Sequence, residues 1–162
     1  MTYAELVAAI KGYAENDFPA TAGSFSSTDQ LNTFIEQAEQ RIFNSIQFPV
    51  IRKNVTGTTT FGNKYLATPV DFLSVFSIAV IAANGSYEFL LNKDVNFIRE
   101  AYPTPTDLGT PAYYALFNEN TFILGPTPDS NYSTELHYFY YPESIVTAGT
   151  SWLGDNFDSV LL

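Results

Sequence analysis

The stretch that decides the fold is Gly109–Pro142, GTPAYYALFNENTFILGPTPDSNYSTELHYFYYP. It contains three aromatic-rich apolar runs, each about one strand long, at Tyr113–Phe117, Thr121–Leu124 and Thr134–Tyr141. A short polar break separates the first two runs, which is a hairpin signal, and a cluster of glycine and prolines separates the last two. The pattern predicts a three-stranded antiparallel meander with an aromatic surface.

Helical periodicity before this stretch predicts two helices, over residues 3–16 and 28–47. Thr2 with Glu5, and Ser27 with Gln30, have the spacing of helix N-terminal caps. Residues 17–26 are predicted to form a loop.

Threonine- and valine-rich segments then predict β-structure from residue 50 onward, with hairpin turns at Gly62-Asn63 and Asn84-Gly85. The predicted strands are 50–61, 64–66, 72–81 and 87–91. Residues 94–102 are predicted to form a short helix, and residues 155–162 the first turns of another after a loose segment from Pro142.

Together these segments predict an α+β fold, with N-terminal helices and a C-terminal helix around an antiparallel β-sheet or meander domain. The predicted parts are a helical part (1–49), a β-rich part (50–152) and the start of a C-terminal helix (153–162), forming one structural unit overall. Because the sequence stops at Val160-Leu161-Leu162 without a C-cap, it is expected to be part of a longer chain.

Composition and charge narrow the possible functions. The 162 residues carry a net charge of −10, contain no cysteine and are 16% aromatic. Residues 100–162 contain eight acidic residues and no basic one, so the second half cannot build a basic nucleic-acid groove. Disulfides and cysteine metal sites are excluded. No apolar segment approaches the length of a membrane span, so no membrane association is expected.

Residues with catalytic or metal-binding chemistry are sparse. His137 is the only histidine, and a lone histidine among aromatics in a strand is typical of a structural residue. Glu36 and Glu39 lie one helical turn apart without a third ligand at a supporting spacing, which favours a solvated helix face. The sequence predicts no catalytic, cofactor-binding or metal site, and hence no enzyme and no cofactor.

The last strand of the opening stretch carries aromatic side chains on both faces. A sheet with one solvated face alternates apolar and polar residues, and Thr134–Tyr141 does not. This strand is covered on both sides either within the monomer or by another protein chain.

The order of motifs resembles the head-to-tail adaptor (connector) proteins of short-tailed bacteriophages. The resemblance covers most of the chain. Its motifs are Phe34-Ile35-x-x-Ala38-Glu39-x-Arg41-Ile42, Tyr65–Leu73, Gly109-Thr110-Pro111-Ala112-Tyr113-Tyr114, Pro126-Thr127-Pro128, Tyr140-Tyr141-Pro142 and Asp155–Leu162. The family's Leu-Pro-x-Asp-Phe-Leu is loosened here, since Ala67-Thr68 separates Leu66 from Pro69.

The resemblance implies a virion protein at the head-tail junction, made in the bacterial host cytoplasm. It implies a ring of about twelve copies under the portal protein, which extends the DNA channel and docks the tail nozzle or tubular protein. DNA would pass through the lumen without specific binding. Candidate ring-interface residues are Phe34, Glu36, Arg41 and Phe43. Candidate tail- or partner-facing aromatics are Tyr113, Tyr114, Tyr132, Tyr140 and Tyr141.

Two other hypotheses remain open from the residues. A β-rich tail or attachment protein could bind host-surface glycans through exposed tyrosines and Trp152, although such domains are usually almost entirely β. A small acidic hydrolase would need a nucleophile and an acid beside His137, and no such cluster is visible in the sequence.

Overall fold

A computed structural model describes residues 1–20 and 25–161 of the chain. Residues 21–24, within the predicted loop 17–26, and Leu162, at the end of the predicted C-terminal helix, lie outside the described residues. The chain divides into two compact units. The helical unit comprises the described residues of Met1–Ile51 and Tyr141–Leu162, and the β unit is Arg52–Tyr140.

The helical unit is built around two amphipathic helices, α1 (Tyr3–Ala14) and α2 (Ser27–Ser45). Thr2 and Glu5 form the predicted capping box of α1. The cap of α2 is one residue earlier than predicted, because Ser26 accepts from the amide of Asp29, whose carboxylate accepts from Ser26 in return. A 3₁₀ turn, Pro49–Ile51, follows α2 at the start of the predicted first strand.

The segment after Pro142 contains helix where a loose segment was predicted, and its last residues contain less α-helix than predicted. It forms α4 (Ile145–Ala148), α5 (Trp152–Asn156) and a 3₁₀ turn, Asp158–Val160. The prediction of a helix from residue 155 onward is therefore wrong. Ser151 caps the helix four residues earlier, and α5 ends before Phe157. The terminal amine of Met1 donates to the Gly154 carbonyl at 2.6 Å, which joins the two chain ends within this unit.

The β unit contains two four-stranded sheets and one two-stranded sheet. The first four-stranded sheet has the order β1-β10-β3-β4, the second the order β2-β8-β7-β5, and β6 pairs with β9. The strands are β1 (Arg52–Thr58), β2 (Tyr65–Ala67), β3 (Ser74–Ile81), β4 (Tyr87–Phe89), β5 (Leu91–Asn92), β6 (Leu108–Gly109), β7 (Tyr113–Asn118), β8 (Thr121–Gly125), β9 (Thr127–Pro128) and β10 (Ser133–Phe139).

One core lies between the two larger sheets. It contains apolar residues from β3, β7, β8 and β10, namely Ile78, Val80, Tyr114, Phe122, Leu124, Leu136 and Tyr138. The short helix α3 (Val95–Ala101) covers the opposite face of the second sheet, where Ile98 packs on Ala115 and Ile123. Alternate residues of β7 and β8 therefore enter different cores, as the period of two in a strand requires.

The predicted meander is only partly correct. β7 and β8 form the predicted hairpin, but β10 leaves their sheet and pairs with β1 and β3. The intervening Pro126 and Pro128 lack backbone donors, and β9, which includes Pro128, pairs with β6 instead. The predicted hairpin at Gly62-Asn63 is also wrong, because β2 pairs with β8. The Asn84-Gly85 hairpin between β3 and β4 is confirmed.

The α+β prediction is confirmed, with antiparallel sheets and helices at both ends of the chain. The predicted parts 1–49, 50–152 and 153–162, and their union in one structural unit, stay predictions. Among the described residues, no helix is long and apolar enough to cross a membrane.

Candidate assembly interface

Helix α2 carries two surface grooves on different sides. One groove, here called the acidic flank, is lined by Glu36, Glu39, Gln40 and Phe43 of the helix, with Tyr141, Pro142 and Ser144 from the later segment. The other, here called the cationic flank, is lined by Phe34, Gln37, Ala38 and Arg41. At 3.6 residues per turn the two sets lie about half a turn apart around the helix, on either side of its buried face.

The acidic flank is built around a buried carboxylate. Glu39 is 4% exposed, and its Oε1 accepts a hydrogen bond from the backbone amide of Ile145 at 3.1 Å. The prediction that Glu36 and Glu39 share a solvated helix face is therefore wrong for Glu39. Glu36 itself is exposed, and Tyr141 is fixed beside the groove by its hydroxyl, which donates to Oδ1 of Asn44 at 2.6 Å.

The cationic flank combines an exposed arginine with an exposed ring. Phe34 is 52% exposed, and the ring of Phe18 packs edge-on against it at 6.1 Å between centroids. Arg41 is exposed, and no carboxylate within residues 1–20 or 25–161 lies at ion-pairing distance from its guanidinium. Three of the four predicted ring-interface residues are thus accessible, whereas Phe43 is buried at the base of the acidic flank.

The predicted partner-facing aromatics differ in exposure. Tyr114 is a core residue at 7% exposure, because it lies on the inward face of β7. Tyr113 is half-buried against Phe97 of α3, with ring centroids 5.6 Å apart. Tyr141 is the exposed member of the set, at 39%.

Tyr132 and Tyr140 are half-buried and held by polar neighbours. The hydroxyl of Tyr132 donates to Oδ1 of Asp129 at 2.6 Å, and this hydrogen bond raises the pKa of Tyr132. The ammonium of Lys53 lies 5.1 Å from the ring centroid of Tyr140, within the range of a cation–π contact.

The outward face of the first sheet supplies an aromatic surface that the sequence did not single out. Phe76 is 52% exposed and contacts the rings of His137 and Phe139 edge-on, each at 5.9 Å between centroids. The guanidinium of Arg52 lies 4.8 Å from the centre of the Phe76 ring. One face of β10 is therefore covered within the β unit, and the other carries His137 and Phe139, which are half-buried beside the exposed ring of Phe76 on β3. A bulge in the pairing of β3 with β10 obscures the alternation that would have placed Phe76 on this face.

The adaptor-like Asp-Phe motif, Asp71-Phe72, makes structural contacts within the β unit. The Asp71 carboxylate accepts from Lys53 at 2.8 Å and from the Tyr138 hydroxyl at 2.7 Å. These two hydrogen bonds lower the pKa of Asp71, whereas burial, followed by the bond to Asp71, raises the pKa of Tyr138. The neighbouring Phe72 packs on the rings of Phe122 and Tyr138. This motif holds the two sheets together through β10.

The arrangement offers surfaces for contact and little chemistry. His137 is half-buried and packs against Phe76, and no cluster of three or more potential metal ligands occurs within the part of the chain that the structure describes. Trp152, proposed as a glycan platform, packs against Phe48 and Phe157 with ring centroids 5.1 and 5.3 Å away. That packing gives the glycan hypothesis no support.

Comparison with models of protein families gives a match to the chain. The family model described as SU10 adaptor protein matches residues 1–162, the full sequence. No curated protein sequence matches the chain.

Proposed function

This chain belongs to the SU10 adaptor protein family, and from that premise we propose that it forms a ring beneath the portal and joins it to the tail. Membership supports the broader assignment to the head-to-tail adaptors of bacteriophages, which are structural virion proteins. It also implies association with portal and tail proteins, and oligomerisation. The match over the whole sequence is the observation that carries the proposal.

The exposed surfaces support assembly with other chains. A ring of identical subunits uses heterologous contacts, so two different patches of one chain must match each other. The two flanks of α2 are different patches of this kind. The aromatic face around Phe76 and Phe139 is a further surface that another protein can cover.

Each side of the ring is proposed to meet a different partner. The segment from Trp152 onward faces the portal, and its exposed apolar side chains, Phe157 and Val160, suit a protein contact. The loops of the β unit face the tail nozzle or tubular protein. The ring contains about twelve copies at the head-tail junction, after synthesis in the cytoplasm of the bacterial host.

The acidic charge suits a protein that surrounds DNA without holding it. The chain carries a net charge of −10, and like charge opposes binding of the phosphate backbone. DNA then passes through the lumen without specific contacts. The proposed role requires no catalysis, and the absence of enzymatic activity stays a prediction.

Native mass spectrometry of the chain, mixed with the portal ring of the same virus, tests the proposal. Each bound copy adds 18.0 kDa, so a discrete complex with about twelve additional copies is the expected result. The isolated chain serves as the reference, because a monomer alone is compatible with assembly templated by the portal. Absence of any portal complex would refute the proposal, and a glycan array would then test the attachment-protein hypothesis.

A further inference from the structure

We infer that neighbouring copies in the ring are joined through α2, with Arg41 of one copy bound in the acidic flank of the next. The inference rests on the proposed ring and names its contact. The occupant of the acidic flank is thus a second copy of this chain.

The acidic flank fits a guanidinium. Glu36 and Glu39 place two carboxylates one helical turn apart at a groove that also contains Phe43, Tyr141 and Pro142. Among the hydrogen bonds of the described residues, one reaches the carboxylate oxygens of Glu36 and Glu39, from the backbone amide of Ile145 to Oε1 of Glu39. No fully buried side-chain oxygen there lacks a partner, so the second oxygen remains accessible from the groove. Arginine matches such a site because it donates several hydrogen bonds and packs its stem and planar head on rings.

Arg41 is the cation that can fill this groove. It is the only basic residue within the sequence of α2, it is exposed, and it has no ion pair among residues 1–20 and 25–161. Phe34 beside it is exposed as well, so the same contact would bury apolar surface around the ion pair. Apolar surroundings strengthen a charge pair by limiting its contact with water.

The placement of the flanks determines the type of assembly. Since they lie about half a turn apart on one rigid helix, they cannot both face the same neighbour. A two-fold dimer would need both contacts to form between the same two copies, and flanks on opposite sides of α2 do not present both surfaces to one neighbour. Each copy therefore binds one neighbour with Arg41 and another with Glu36 and Glu39, which produces a head-to-tail series that closes into a ring.

Charge reversal tests the pairing. Arg41→Glu and Glu36→Arg are each expected to lose the ring on the portal, because each brings like charges together at every contact. Mixed in equal amounts, the two variants are expected to recover it. At one type of contact the acid introduced by Arg41→Glu then faces the base introduced by Glu36→Arg. At the other type the original Arg41 of the second variant faces the original Glu36 of the first. The opposite mass changes of the two substitutions allow native mass spectrometry to confirm a one-to-one composition.

Controls separate this inference from the proposed function. Glu100→Arg reverses an exposed charge on α3 and is expected to leave the ring intact. Circular dichroism confirms that each variant is folded. Where a reversal does not fold, its neutral counterpart, Arg41→Gln or Glu36→Gln, is tested alone and is expected to weaken the ring. Assembly of either reversed variant alone, or failure of the folded mixture, would overturn the pairing while the wild-type ring stands. Failure of the wild-type chain to form a ring would remove the proposed function and this contact together.

Discussion

Replacement of Glu39 by alanine is expected to destabilise the helical unit by about 3 kcal/mol. The substitution removes the acceptor of the Ile145 amide and leaves that N–H unpaired beside a side chain with no exposed surface. An unpaired buried donor costs about 1–3 kcal/mol, and each lost buried methylene adds about 0.8 kcal/mol. Glu39→Gln keeps an oxygen acceptor of the same length, so its stability should stay within about 1 kcal/mol of the wild-type value.

Urea unfolding, followed by tryptophan fluorescence, measures this loss of stability in the helical unit. Trp152 is the only tryptophan, and it packs within the same unit as Glu39. With a denaturant slope of about 1.5 kcal/mol per molar urea, the unfolding midpoint of the alanine variant should lie roughly 2 M below that of the wild type. Equal unfolding midpoints for the alanine and glutamine variants would refute the role assigned to this hydrogen bond.

Three further predictions concern the core residue Phe122, the Asp71 carboxylate and two glycines. Phe122→Ala should cost about 3–5 kcal/mol, measured by thermal unfolding, because the ring has no exposed surface and packs between the sheets. The lowered pKa of Asp71 means that its ionised carboxyl stabilises the fold above the unfolded pKa of about 3.9. That stabilisation is lost as the pH falls below this value toward the folded pKa. Asp71→Asn should therefore lower the free energy of unfolding at neutral pH and make that free energy less dependent on pH in the acidic range. Urea titrations at several pH values would measure both effects. Gly85→Ala should destabilise the chain by about 1 kcal/mol because of its positive φ, whereas Gly12→Ala, in α1 with free space around it, should stabilise the chain by about 0.5–1 kcal/mol. Urea midpoints that shift in the same direction for both alanine variants would contradict this reasoning.

Local signals in the sequence were sufficient for three helices, α1, α2 and α3, and for two hairpins. Capping residues and helical spacing located α1, α2 and α3 within two residues at each end, because these interactions lie within a few residues of each other. The Asn84-Gly85 turn and the polar break at Asn118–Asn120 were visible for the same reason.

Strand partners could not be predicted in this way. β10 carries apolar residues on both faces, so its pattern does not indicate which sheet it joins, and its partners β1 and β3 lie far away in sequence. Resemblance and helix position suggested four ring-interface candidates, Phe34, Glu36, Arg41 and Phe43, of which Phe43 is buried. The burial of Glu39 had a signal, since it continues the series Leu31, Ile35 and Phe43 at intervals of four. Its charge concealed that signal, because a buried carboxylate depends on a partner from a distant segment.

The helical unit is discontinuous in sequence, and this has a consequence for synthesis on the ribosome. Arg52 and Phe139 are paired neighbours at the two ends of the β unit, which therefore has all its strands once residue 139 has emerged. Helices α1 and α2 emerge before the β unit, but Ile145, which donates to Glu39, and Gly149, which accepts from Tyr3, emerge after it. Because domains fold as units during translation, the β unit should be complete first. The nascent helical unit then becomes competent for assembly only after residue 149 has emerged, which delays the contacts of α2 until the β unit is complete.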